Sequence, residues 1–108
     1  MRVNGWNNGG QGYGIRVGPE NRGRYFSRSW RSIEVEIGGQ SHGFRLTDSF
    51  WRQCPEFRGR AVGEWLKKNG LAPWPKGAPP TLELVQIVSG QNRFRLLALR
   101  GRSIKSGK

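Results

Sequence analysis

Three Arg-Gly-Arg triplets, Arg22-Gly23-Arg24, Arg58-Gly59-Arg60 and Arg100-Gly101-Arg102, are the residues best suited to chemistry with an anion. At this composition chance supplies roughly 0.3 such triplets. A glycine lets the backbone come close to a phosphate, and the guanidiniums beside it offer forked, charge-assisted hydrogen bonds. The same triplets also suit plain solvated turns. A second constellation runs Arg24-Tyr25-Phe26-Ser27-Arg28-Ser29-Trp30-Arg31. Aromatics and arginines interleave in this way where bases stack on rings while cations track the backbone. Two of the three aromatics are read as core plugs, which leaves Trp30 as the stacking candidate.

Catalytic chemistry is poorly served. His42 and Cys54 are each the single residue of their type, too few for the usual four-ligand zinc site. Glu34 and Glu36 share a strand face and, with Asp48, form a conceivable divalent-metal set, so a metal-dependent nuclease is a remote alternative. No lysine follows at short spacing, and Arg45 offers these acids an ordinary ion pair. Gly10-Gln11-Gly12-Tyr13-Gly14 precedes a strand instead of following one, so it is not a dinucleotide loop, and no P-loop is present. The chain reads as non-catalytic, with no cofactor or metal.

Charge narrows the partners. Nineteen Lys plus Arg against seven Asp plus Glu give a net charge of +12 over 108 residues. Such a surface attracts polyanions. Fourteen of the cations are arginine, the better bidentate ligand for phosphate and guanine, although GC-rich codon usage produces the same bias. Nucleic acid is the expected partner, DNA favoured over RNA. An acidic protein partner is the alternative, and no membrane is expected. The lone cysteine suits a reducing, cytoplasmic setting, and no apolar run is long enough to span a bilayer.

The elements that must position these residues are legible in part. Residues 1–12, rich in Gly and Asn, read as a flexible arm, with Trp6 either a tethered plug or a groove-entering residue. Residues 13–100 read as one domain. Tyr13–Val17 alternates as a strand, and Gly18–Arg24 reads as a turn or long loop. Ser32–Ile37 and His42–Leu46 form a hairpin across Gly38-Gly39-Gln40-Ser41, with Arg45 set to pair with Glu34 or Glu36. A short helical turn follows from Ser49 to Cys54, capped by Asp48 or Ser49.

The main helix spans about 56–69, starting either near Pro55 or at Arg60 after Gly59. Gly70 and Pro73 stop it. Ala61, Val62, Trp65 and Leu66 form its apolar face, and Arg58, Arg60, Lys67 and Lys68 face water. Trp74, between two prolines, reads as a lid over this helix, with a rigid aromatic platform as the alternative. Thr81–Val88 and Arg93–Leu99 form a second hairpin, and 101–108 a basic tail. The expected class is α+β: two antiparallel hairpins and an extra strand in a curved sheet or open barrel, packed on one main helix.

Two hairpins around a helix, with basic loops at one rim and a basic amino-terminal arm, resemble in plan the pseudobarrel DNA-binding modules of plant transcription factors and some restriction enzymes. The likeness is architectural and assigns no residue a role. The expected function is binding of nucleic acid, double-stranded DNA first. The phosphate contacts would come from Arg22, Arg24, Arg28, Arg31, Arg58, Arg60, Lys67 and Lys68, with Arg93 and Arg95 as candidates for groove insertion. Five to eight phosphate contacts imply a log–log salt slope of about −5 to −7.

Overall fold

The computed structural model describes residues 1–7 and 12–99, which form seven strands and three helices. In chain order these are β1 (Arg2–Asn7), β2 (Tyr13–Arg16), α1 (Pro19–Tyr25), β3 (Ser32–Ile37), β4 (Gln40–Arg45), α2 (Asp48–Arg52), β5 (Glu56–Arg58), α3 (Arg60–Lys68), β6 (Thr81–Gln86) and β7 (Arg93–Ala98). Alternation in the sequence becomes alternation of faces. Val3, Ile15, Ile33, Val35, Phe44, Phe57, Leu82, Leu84, Phe94 and Leu96 point inward from all seven strands into one buried cluster, joined by Val62 and Leu66 of α3. Each such side chain contributes about 1.5–3 kcal/mol by leaving water.

The strands hydrogen-bond in the order β4-β3-β7-β6-β1-β2-β5. Every neighbouring pair is antiparallel except β3 and β7, which run parallel with Val35 opposite Phe94. The sheet curls until its two edges, β4 and β5, bring the Phe44 and Phe57 rings to 4.8 Å. It is thus a mixed sheet nearly closed into a barrel, an α+β domain of the expected class. Both expected hairpins are present. In the first, Gly38 and Gly39 take φ of 60° and 88° in a two-residue turn, so Gln40 already pairs with Ile37.

The helix that was expected over 56–69 divides. Phe57 pairs with Ile15 and turns its ring into the core, so Glu56–Arg58 is drawn into the sheet beside β2. The helix proper starts at Arg60 after Gly59, the second of the two starts the sequence allows. Its end matches the sequence. Gly70 has φ +71°, its N–H bonds the Lys67 carbonyl at 3.1 Å, and the Leu71 N–H bonds the Leu66 carbonyl at 2.8 Å. The short turn before it is capped by Thr47, whose Oγ1 accepts from the Phe50 N–H at 3.3 Å, and not by Asp48 or Ser49.

Two segments differ from their sequence reading. Residues 2–7 are no arm: β1 lies between β6 and β2, where Val3 is buried and the Gly5 N–H bonds the Pro80 carbonyl at 3.0 Å. Gly5 fits because a side chain there would meet Pro80 and Trp74 at 3.0–3.1 Å. The segment 19–25, read as a loop, is α1. It has Pro19 in its first turn and Glu20 four residues before Arg24, and it buries no residue fully. Polar ties hold it instead. The Asn21 amide donates to the Arg2 and Val17 carbonyls at 2.8 and 3.0 Å. Residues 8–11 and the basic tail 101–108 lie outside the described residues. Among the described residues, no helix is long and apolar enough to cross a membrane.

Candidate nucleic-acid interface

Strand alternation fixes the chemistry of the seam where the barrel fails to close. On β4, Phe44 points inward and Arg45 outward; on β5, Phe57 points inward and Arg58 outward. The seam is therefore apolar inside and cationic outside. Gly59 and Arg60 follow at once, and α3 carries Lys67 two turns on.

These cations line four clefts that run into one another. Arg58, Arg60 and Lys67 border a cleft of about 510 Å³ with Tyr13, Gly63 and Glu64. Arg45, Arg58 and Arg60 border the next, about 420 Å³, with His42 and Phe44. Arg45 and Arg58 also border one of about 370 Å³ with Trp6, Cys54 and Glu56. Arg31 and Arg45 border one of about 360 Å³ with Thr47 and Asp48. Arg58 is common to three of these clefts and Arg45 to three, so the five cations form one connected strip.

Acids are sparse along it. Glu56 is engaged by Arg16, whose Nε lies 2.7 Å from its Oε2, while Asp48 and Glu64 remain on the rim. Among the described residues, Arg31, Arg45, Arg58, Arg60 and Lys67 have no carboxylate within 4.0 Å. The first turn of α3 contains no acid and has no side-chain cap, so its positive dipole end adds to the field of these side chains. Lys67 lies 5.8 Å over the Tyr13 ring, a cation–π contact that leaves the ammonium at the cleft wall.

The remaining expected site residues do different work. Arg22 is half-buried, and its Nη1 donates to the Phe50 carbonyl at 2.7 Å, tying α1 to α2. Arg24 pairs with Glu20 at 3.8 Å on exposed helix. Arg28 stands 5.3 Å over the Trp51 ring. Trp30 is half-buried, edge-on to Phe26 and Phe94 at 5.8 and 6.2 Å, so much of its surface is committed to the core. Lys68 is exposed on α3 outside the four clefts.

Arg93 and Arg95 face outward, as alternation requires, but each has a carboxylate beside it on β3. Arg93 pairs with Glu34 at 3.6 Å and Arg95 hydrogen-bonds Glu36. This corrects the expected pairing of Arg45 with those acids. The parallel neighbour β7 supplies the partners, and Arg45 is left at the seam. Among the described residues no three of His, Cys, Asp and Glu converge on a metal-sized site, so Asp48 does not join Glu34 and Glu36. The triplet containing Arg100 lies outside the described residues.

Sequence reasoning missed Arg45 as a candidate, and with it Tyr13 as a cleft wall, while Trp6, read as a plug or a groove-entering residue, borders a cleft. The signal needed was knowledge of which strands form the sheet edges, which no local pattern in Gln40–Arg45 carries. Trp74 packs on Tyr13, ring centroids 5.3 Å apart, and sits against Gly5 of β1, while Tyr13 in turn lies against Gly63 of α3. Comparison with protein-family models, with curated proteins and with solved structures finds no match.

Proposed function

We propose that this chain is a non-catalytic nucleic-acid-binding domain whose phosphate contacts come from the strip Arg31–Arg45–Arg58–Arg60–Lys67, with duplex DNA as its first ligand. The observation that carries the reading is the division of the cations. Among the described residues, Arg2, Arg16, Arg24, Arg93 and Arg95 have carboxylate partners, whereas the five along the clefts have none. Structural ion pairs are thus made elsewhere, and five unneutralised cations are gathered where concave surface can receive a sugar–phosphate chain. Guanidiniums dominate the strip, which favours planar, forked contact with phosphate oxygens. An exposed Cys54 suits work in a reducing compartment such as the cytoplasm.

The test is titration of the intrinsic Trp fluorescence with duplex DNA, single-stranded DNA and duplex RNA at three salt concentrations. Five to seven contacts, the strip plus Lys68 and Arg28, give an expected log–log slope of about −4 to −6 on duplex DNA. A slope shallower than about −2 excludes phosphate-driven binding. Absence of binding to all three at low salt, with stoichiometric capture of an acidic protein, assigns the charge to a protein partner.

A further inference from the structure

The seam itself has a geometry that the strip alone does not explain. β4 and β5 are the two edges of the sheet and make no ladder with each other. What joins them is internal: the Phe44–Phe57 ring contact, and Gly59, where a side chain would press within 2.9 Å of the Phe44 ring. Outside, Arg45 and Arg58 border the same two clefts, one on each edge strand. Like charges facing each other across strands repel. The nearest acid on β5, Glu56, is held by Arg16 on the β2 side and does not relieve them.

We infer that Arg45 and Arg58 form a two-sided clamp for a single phosphodiester, and that the bound phosphate joins the two edges of the barrel. The inference rests on the nucleic-acid reading and names the site at its centre. One phosphodiester carries one negative charge and two non-bridging oxygens. Each oxygen can accept from one guanidinium, so a single group neutralises the repulsion and ties β4 to β5. The phosphate then replaces the hydrogen bonds that the missing β4–β5 ladder does not supply. Because the ligand binds both edges at once, it stabilises the closed seam, and closing the seam raises affinity by the same factor.

A double-mutant cycle on the intact protein, Arg45→Gln, Arg58→Gln and the pair, read by salt-dependent titration with a duplex oligonucleotide, tests the clamp. Each single variant is expected to weaken binding about tenfold, the size of a lost hydrogen bond to a charged group. If one phosphate is shared, the double variant loses little beyond either single one, and its salt slope falls by about one unit. Losses that multiply, with the slope falling by about two, mean separate phosphates and overturn the clamp while leaving nucleic-acid binding intact. Wild-type protein that binds no nucleic acid overturns both.

The Gln variants keep the stem of each exposed side chain, so their unliganded melting temperature should equal or exceed wild type as the repulsion is removed. Amide exchange gives an independent readout. Oligonucleotide should slow exchange in Phe44–Arg45 and Phe57–Arg58 more than in the Arg93–Ala98 strand. Equal protection of both regions, or protection confined to Arg93–Ala98, contradicts closure of the seam.

Discussion

Arg22 and Arg58 open triplets of identical sequence and have opposite fates. Arg58 projects from an edge strand into three clefts, while Arg22 turns inward and donates to the Phe50 carbonyl at 2.7 Å. The glycines differ as well: nothing stands within 4 Å of a side chain built at Gly23, whereas Gly59 is packed against the Phe44 ring. Replacing Arg22 by Met should therefore destabilise the domain by about 1–3 kcal/mol, because a half-buried carbonyl loses its donor. The affinity of the folded protein for duplex DNA should stay within about twofold, read by urea unfolding beside titration. A large loss of affinity with unchanged stability would return Arg22 to the interface. Composition made the arginines visible as a class. It could not sort them, because whether a guanidinium meets a carbonyl, a carboxylate or solvent is decided by residues far away in sequence, Phe50 for Arg22 and Glu34 for Arg93.

At the level of elements, the strands with clean alternation were legible, and those with glycine were not. Ser32–Ile37 announces itself by Ile33, Val35 and Ile37. Arg2–Asn7 offers only Val3 and Trp6 among Gly and Asn, residues that disfavour strands on propensity. Its glycine marks tight packing where Pro80 and Trp74 press against the strand. The end of α3 was legible because Gly70 and Leu71 write a local motif, and its start was blurred because Phe57 serves a partner strand. Since β1 occupies the middle of the sheet, deleting residues 1–7 should abolish cooperative unfolding. The truncated chain should lack a sigmoidal thermal transition in circular dichroism. A truncated protein that melts cooperatively would restore the reading of this segment as an appendage.

Over the whole molecule, acids and bases are distributed unevenly. Glu34, Glu36 and Glu83 lie on the outer surface of β3 and β6 and hold Arg93, Arg95 and Arg2. That surface is close to neutral, and Val85, Ile87 and Leu97 emerge on the β6–β7 ribbon within it. Five of the cations without a carboxylate partner among the described residues are gathered along the seam and its clefts. Substituting both Arg93 and Arg95 by Gln should lower DNA affinity less than about threefold, although two formal charges are lost, because each is already neutralised nearby. A loss as large as that from Arg58→Gln would place the ligand on this ribbon. The connectivity has a further consequence, in time. β1 pairs with β6, Val3 opposite Leu82, and β3 pairs with β7, Val35 opposite Phe94. The middle of the sheet thus joins segments that lie far apart in the 108-residue sequence. Closing such loops comes before any reward from burial, so refolding belongs in the millisecond-to-second regime of non-local topologies. During synthesis β1 and β3 have only β2 and β4 to pair with until the β6–β7 hairpin leaves the ribosome, so the two halves of the sheet are joined late.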